Sequence, residues 1–109
     1  VTRKKITLGQ HWITGRRLQA ARNAALSAGI TLHNAGNIVG YREIGVEVLR
    51  LVDKLDALRS QAEDAYCREW PDDMCTHIYY PGSEETQDDH RRLGCQVCDV
   101  AREEARRST

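Results

Sequence analysis

The sequence predicts a mainly α protein: an antiparallel helical hairpin with a long second helix, then a small zinc-stapled loop and a last helix. Three observations carry this. The apolar side chains are mostly Leu, Ile, Val and Ala, with no Phe among the 109 residues, a composition that suits helices. Ile44, Val48, Leu51, Leu55, Leu58, Ala62 and Ala65 recur at alternating four- and three-residue steps, which keeps them on one seam of a helix. The four cysteines, Cys67, Cys75, Cys95 and Cys98, all fall in the last 43 residues.

Residues 1–9 read as a basic, flexible arm. A first helix is expected to begin between Gln10 and Thr14 and to run to Ser27. Leu18, Ala21, Ala25 and Ala28 share one stripe, and Gly29 stands where a helix-terminating glycine would. Residues 30–40 read either as a loop or as a short helix opened by Thr31. The long helix is expected from about Tyr41 to Arg68, where Pro71 stops it. Val46, Leu49 and Val52 widen its apolar face early on, so that part suits a bundle and the remaining seam, around Leu51, Leu55 and Leu58, is left for a partner or a second copy. Residues 71–94 read as loop, with Thr76–Pro81 as a short strand. Cys95–Arg107 reads as the final helix, its acidic residues early and Arg106 and Arg107 late, as the helix dipole favours. The expected division is a basic hairpin, 1–66, and an acidic metal module, 67–109.

A net charge of zero hides a strong asymmetry. Residues 1–42 contain Arg3, Lys4, Lys5, Arg16, Arg17, Arg22 and Arg42 and no Asp or Glu, whereas residues 60–109 hold 6 basic and 12 acidic side chains. Such a front suits nucleic acid or an acidic protein surface, or it folds against the acidic end. His11 and Trp12 lie beside it, where either ring would stack on a base or, as an aromatic at a helix start more often does, anchor the helix to a core. No stretch reaches the roughly 18 apolar residues of a membrane span, and the basic start leads into no apolar run, so an intracellular, cytoplasmic protein is expected. Arg outnumbers Lys 13 to 3, a bias that a GC-rich bacterial or phage gene would produce.

The cysteine spacing is C-x7-C-x19-C-x2-C. A C-x2-C pair at the start of a helix can direct two thiolates to one ion, and the helix N-terminus favours their charge. The expectation is a structural Zn²⁺ on Cys67, Cys75, Cys95 and Cys98, with His77 and His90 as alternates. Disulfides, a redox pair and an iron–sulfur cluster are the other uses of four thiols. Four thiolates would leave no open position for water or substrate, and Asp72–Asp73 and Asp88–Asp89 read as solvated loop charge, so no enzyme is expected.

Two local resemblances accompany these readings. The second C-x2-C resembles the corresponding half of zinc-ribbon and treble-clef modules. Residues 32–51 resemble the helix-turn-helix of phage-repressor-type DNA-binding proteins. Gly36 takes the small position, Gly40 the turn, and Ala35, Val39, Val46 and Leu49 the buried positions. That resemblance implies a DNA-binding regulator with Arg42 and Arg50 at the bases or backbone. It departs from the family in its much longer second helix and in Glu43 and Glu47, which phosphates repel. The alternative role is a protein-interaction factor, a phage-type inhibitor or an assembly subunit, binding through the long seam and the acidic module.

Overall fold

The computed structural model describes residues 6–35 and 40–108. Four α-helices and one short 3₁₀ turn make up the described chain: α1 Leu8–His33, α2 Tyr41–Glu69, the 3₁₀ turn Thr76–Ile78, α3 Glu84–Leu93 and α4 Gln96–Ser108. Helix α1 starts earlier than the apolar stripe suggests because Thr7 and Gln10 close a capping box. The Gln10 N–H donates to Thr7 Oγ1 (3.1 Å) and the Thr7 N–H to Gln10 Oε1 (2.9 Å), satisfying two donors that a helix start otherwise leaves open. It also continues through Gly29, which therefore does not end it.

Gly29 belongs instead to the helix–helix contact. A Cβ built on Gly45 of α2 would lie 2.5 Å from the His33 nitrogen and 2.9 Å from the Gly29 carbonyl oxygen. Only glycine lets the two backbones meet there. From that crossing the helices run antiparallel. Gly29 faces Leu49, Arg22 pairs with Asp56, Gln19 accepts from Arg59, and His11 packs on Tyr66, so each step down one helix is a step up the other.

Half of the expected seam is displaced by one position. Gly45, Val52, Arg59 and Tyr66, every seventh residue, are the buried members of α2. They interleave with half-buried Val48, Leu55 and Ala62. Ile44, Leu51 and Leu58 are turned outward, 50%, 54% and 44% exposed. Arg59 occupies a core position through three partners: Gln19, Asp56 at 3.6 Å, and the Tyr80 ring, 4.3 Å from its guanidinium carbon.

Two expectations for residues 71–94 are corrected. Thr76–Pro81 is not a strand: Thr76–Ile78 form the 3₁₀ turn, with the Tyr80 N–H donating to the Thr76 carbonyl (2.9 Å). Residues 84–93 are helical. Ser83 caps α3 by accepting from the Thr86 N–H (3.2 Å), acidic Glu84 and Glu85 open it, and basic His90, Arg91 and Arg92 close it before Gly94 at φ 81°. These are ordinary helix start and stop signals. α3 buries none of its residues, so no apolar stripe marks it.

The buried cluster of Leu8, Tyr66, Ile78, Tyr79, Cys98 and Ala101 draws on both sides of the expected 66/67 boundary. Gly15 is part of the reason: a Cβ there would run into the Ile78 carbonyl, so the 3₁₀ turn lies directly on the α1 backbone. Glu104 of α4 accepts from the Gly9 N–H (3.1 Å), and the Trp70 indole donates to the Ile6 carbonyl (2.9 Å). The tail takes its core from the hairpin. None of the helices is long and apolar enough to cross a membrane.

Candidate metal centre

Four side chains from three places in the chain converge beside this core. Cys75 precedes the 3₁₀ turn, His90 lies in the last turn of α3, Cys95 immediately precedes α4, and Cys98 lies in its first turn. Their ligand atoms all lie within 4.8 Å of one another. Cys75 Sγ is 3.6 Å from His90 Nε2 and 3.6 Å from Cys98 Sγ. Tetrahedral zinc with bonds of about 2.3 Å to sulfur and about 2.0–2.1 Å to nitrogen sets ligands about 3.8 Å (S to S) and about 3.6 Å (S to N) apart. The spacing therefore fits a single four-coordinate ion. No disulfide links the four cysteines.

The start of α4 shapes the thiol acidities. Burial opposes ionisation of Cys95, but the N–H groups of Cys98 and Val97 and the neighbouring thiols pull its pKa below the usual value. Burial pushes the Cys98 and Cys75 thiols up, Cys98 further because the Cys75 and Cys95 sulfurs crowd it. Three thiols so close cannot all ionise without a cation, and a divalent ion removes that conflict. His90 is held below the usual histidine range by burial first and by its neighbour His77 second, which keeps a ring nitrogen free to ligate.

Cys67 is not part of this group. It sits in the last turn of α2 and packs against the core edge. Burial, then Glu63 and Asp64, raises its pKa, so it remains a thiol. His90, named as an alternate, stands in its place. The chain signal for it is a histidine in the last turn of a capped helix, five residues before the C-x2-C. His77, the other alternate, lies just outside the four: its ring stacks on His90 (centroids 3.9 Å apart, 12° between planes), with Nδ1 3.8 Å from Cys75 Sγ.

The basic residues are dispersed. Arg22 is tied to Asp56 at 3.0 Å. Arg16 lays its guanidinium 3.6 Å over the Trp12 ring and donates to the Trp12 carbonyl (3.4 Å). Arg17 and Arg42 are exposed. Arg3, Lys4 and Lys5 lie outside the described residues. So do Gly36 and Val39 of the helix-turn-helix resemblance. Of its other buried positions Ala35 and Leu49 are half-buried, whereas Val46 is exposed, and Arg50 pairs with Glu47 (2.6 Å). Of the partner-binding set Leu51 and Leu58 are exposed and Leu55 is half-buried within the seam.

Of the two alternatives for His11, the core anchor is the one the structure shows: it is 2% exposed, with Nδ1 2.6 Å from Tyr79 Oη. Trp12 packs against the same core. Compared with protein families, curated proteins and solved structures, the chain matches none.

Proposed function

We propose that this chain is a small non-enzymatic binding protein, a nucleic-acid-binding regulator or accessory factor built around a structural Zn²⁺ on Cys75, His90, Cys95 and Cys98. The ligand spacing favours a mononuclear ion over an iron–sulfur cluster, whose several irons would hold the ligand sulfurs further apart. Three thiolates and an imidazole favour zinc among the common divalent ions, and four protein ligands leave no position for substrate. The ion would fasten α3 and the 3₁₀ segment to α4.

The observation that carries the nucleic-acid reading is the acid-free run of 42 residues with seven cations. Binding of a fluorescent oligonucleotide, measured against salt, tests it. Contact with several phosphates gives an affinity that falls steeply with salt, with a log–log slope of about 0.7–0.9 per phosphate neutralised. No binding even at low salt removes this reading. The second reading, a protein partner, is favoured by the outward row of Ile44, Leu51 and Leu58. In that case charged substitutions at Leu51 and Leu58 abolish the association and leave the fold intact.

A further inference from the structure

Next to the metal ligands, where α1, α3, α4 and the 3₁₀ segment meet, lies a small, partly open pocket with a cavity volume of about 20 Å³. Trp12, Arg16, His77, Gln87, Arg91 and Arg102 are among its lining, and no carboxylate of the described residues lines it. Its polar character follows from helical spacing. Trp12 and Arg16 are one turn apart on α1, and Cys98 and Arg102 are one turn apart on α4, so two arginines approach from facing helices.

The arginines are only partly neutralised. Arg102 has Asp99 at 3.1 Å and Arg91 has Asp88 at 3.9 Å, while no described carboxylate pairs with Arg16. The thiolates beside Arg16 offset part of its charge. The hydrogen-bond inventory is not closed in the same way. Trp12 Nε1, Arg16 Nε and Arg102 Nε are buried and have no acceptor. Buried N–H donors are rarely left so, and three of them on the lining of one cationic pocket call for a ligand with negative charge and acceptor oxygens on several sides. A tetrahedral oxyanion has both; a planar carboxylate presents its oxygens in one plane only.

We propose that this pocket is a phosphate site, held by Arg16, Arg102 and the Trp12 indole and closed on the outer side by Arg91. The source of the phosphate, a nucleic-acid phosphate or free phosphate, rests on the proposed nucleic-acid function; the pocket itself does not. An occupant would join α1 to α3 and α4 at the point where the metal already joins α3 to α4.

The test is titration of the zinc-loaded full chain with inorganic phosphate, read by NMR at the Trp12 indole and arginine Nε–H resonances. The expected result is a saturable one-to-one shift of these signals. Arg91→Gln, at an exposed position that need not disturb the fold, weakens binding about tenfold or more, and Arg17→Gln, away from the pocket, leaves it unchanged. Resonances that do not move, or that move equally in Arg91→Gln, overturn the site. A second arm titrates a 5′-phosphorylated oligonucleotide and its 5′-hydroxyl form. Displacement of phosphate by the phosphorylated form supports a nucleic-acid source. Phosphate binding that neither oligonucleotide displaces keeps the pocket as a free-phosphate site and counts against the nucleic-acid source.

Discussion

Gly15→Ala separates two physical effects of opposite sign. Gly15 lies inside α1, so alanine should stabilise the helix by about 1 kcal/mol through propensity alone. Its Cβ, however, would collide with the Ile78 carbonyl and approach the Tyr79 Cα to 3.0 Å. Both are backbone atoms, so no rotamer change relieves the overlap, and the 3₁₀ turn must lift off α1. Overpacking of this kind costs about 1–3 kcal/mol, and a backbone obstacle belongs at the upper end. The expected net effect is a loss of about 1–2 kcal/mol, measured by urea unfolding of the zinc-loaded protein. The displaced turn follows Cys75 directly, so part of the loss appears as weaker zinc retention in chelator competition. Gly29→Ala is the comparison. Its Cβ meets mainly the Leu49 side chain, 2.7 Å from Cδ2, which can move aside, and stability should stay within about 1 kcal/mol of the parent. A Gly15→Ala protein more stable than the parent would refute the close approach of the turn to α1.

Three further outcomes follow from the same geometry. Stripping the metal with a chelator should unravel the ten-residue α3, which buries nothing of its own, and leave α1 and α2 helical; far-UV circular dichroism unchanged by the chelator would contradict the clamp. Arg59→Ala should destabilise by about 2 kcal/mol in denaturant unfolding, because a guanidinium 8% exposed loses Gln19, Asp56 and the Tyr80 ring together, and Lys at this position should restore little of it. Burial, partly opposed by Glu69, lowers the His11 pKa in the folded protein. The unfolded chain therefore takes up the proton first, and the contribution of neutral His11 is complete above the unfolded value of about 6.5 and is lost as pH falls through the folded value. Unfolding free energy measured across that window should decline toward acid, and less so in His11→Gln; identical profiles would remove His11 as the cause.

The long helix, its limits and the hairpin were legible because each has a local signal: a 3–4 repeat, a terminating proline, a glycine-bounded connection. The side of α2 that faces α1 was not. A hydrophobic count ignores Gly45 and Arg59, yet one is buried because its missing side chain admits the neighbouring backbone, and the other because three partners hold its guanidinium in place. Counting only apolar residues placed the seam on Ile44, Leu51 and Leu58, which are its edge. α3 was missed for the complementary reason. Its cap, charge order and terminal glycine are in the sequence, but no burial and hence no apolar periodicity accompanies them. At the candidate metal centre, the C-x2-C announced itself by spacing. His90 did not, because its approach to Cys75 depends on α3, a helix without an apolar stripe. Cys67 looked equivalent to the other thiols along the chain and differs only in where α2 carries it.

The most direct measurement is metal content per chain for the parent protein and for Cys98→Ser, His90→Ala and Cys67→Ser. One zinc is expected in the parent and in Cys67→Ser, with the metal lost or weakly held in the other two. Metal lost from Cys67→Ser as completely as from Cys98→Ser, or retained in His90→Ala, would contradict the Cys₃His centre on which this account of the fold rests.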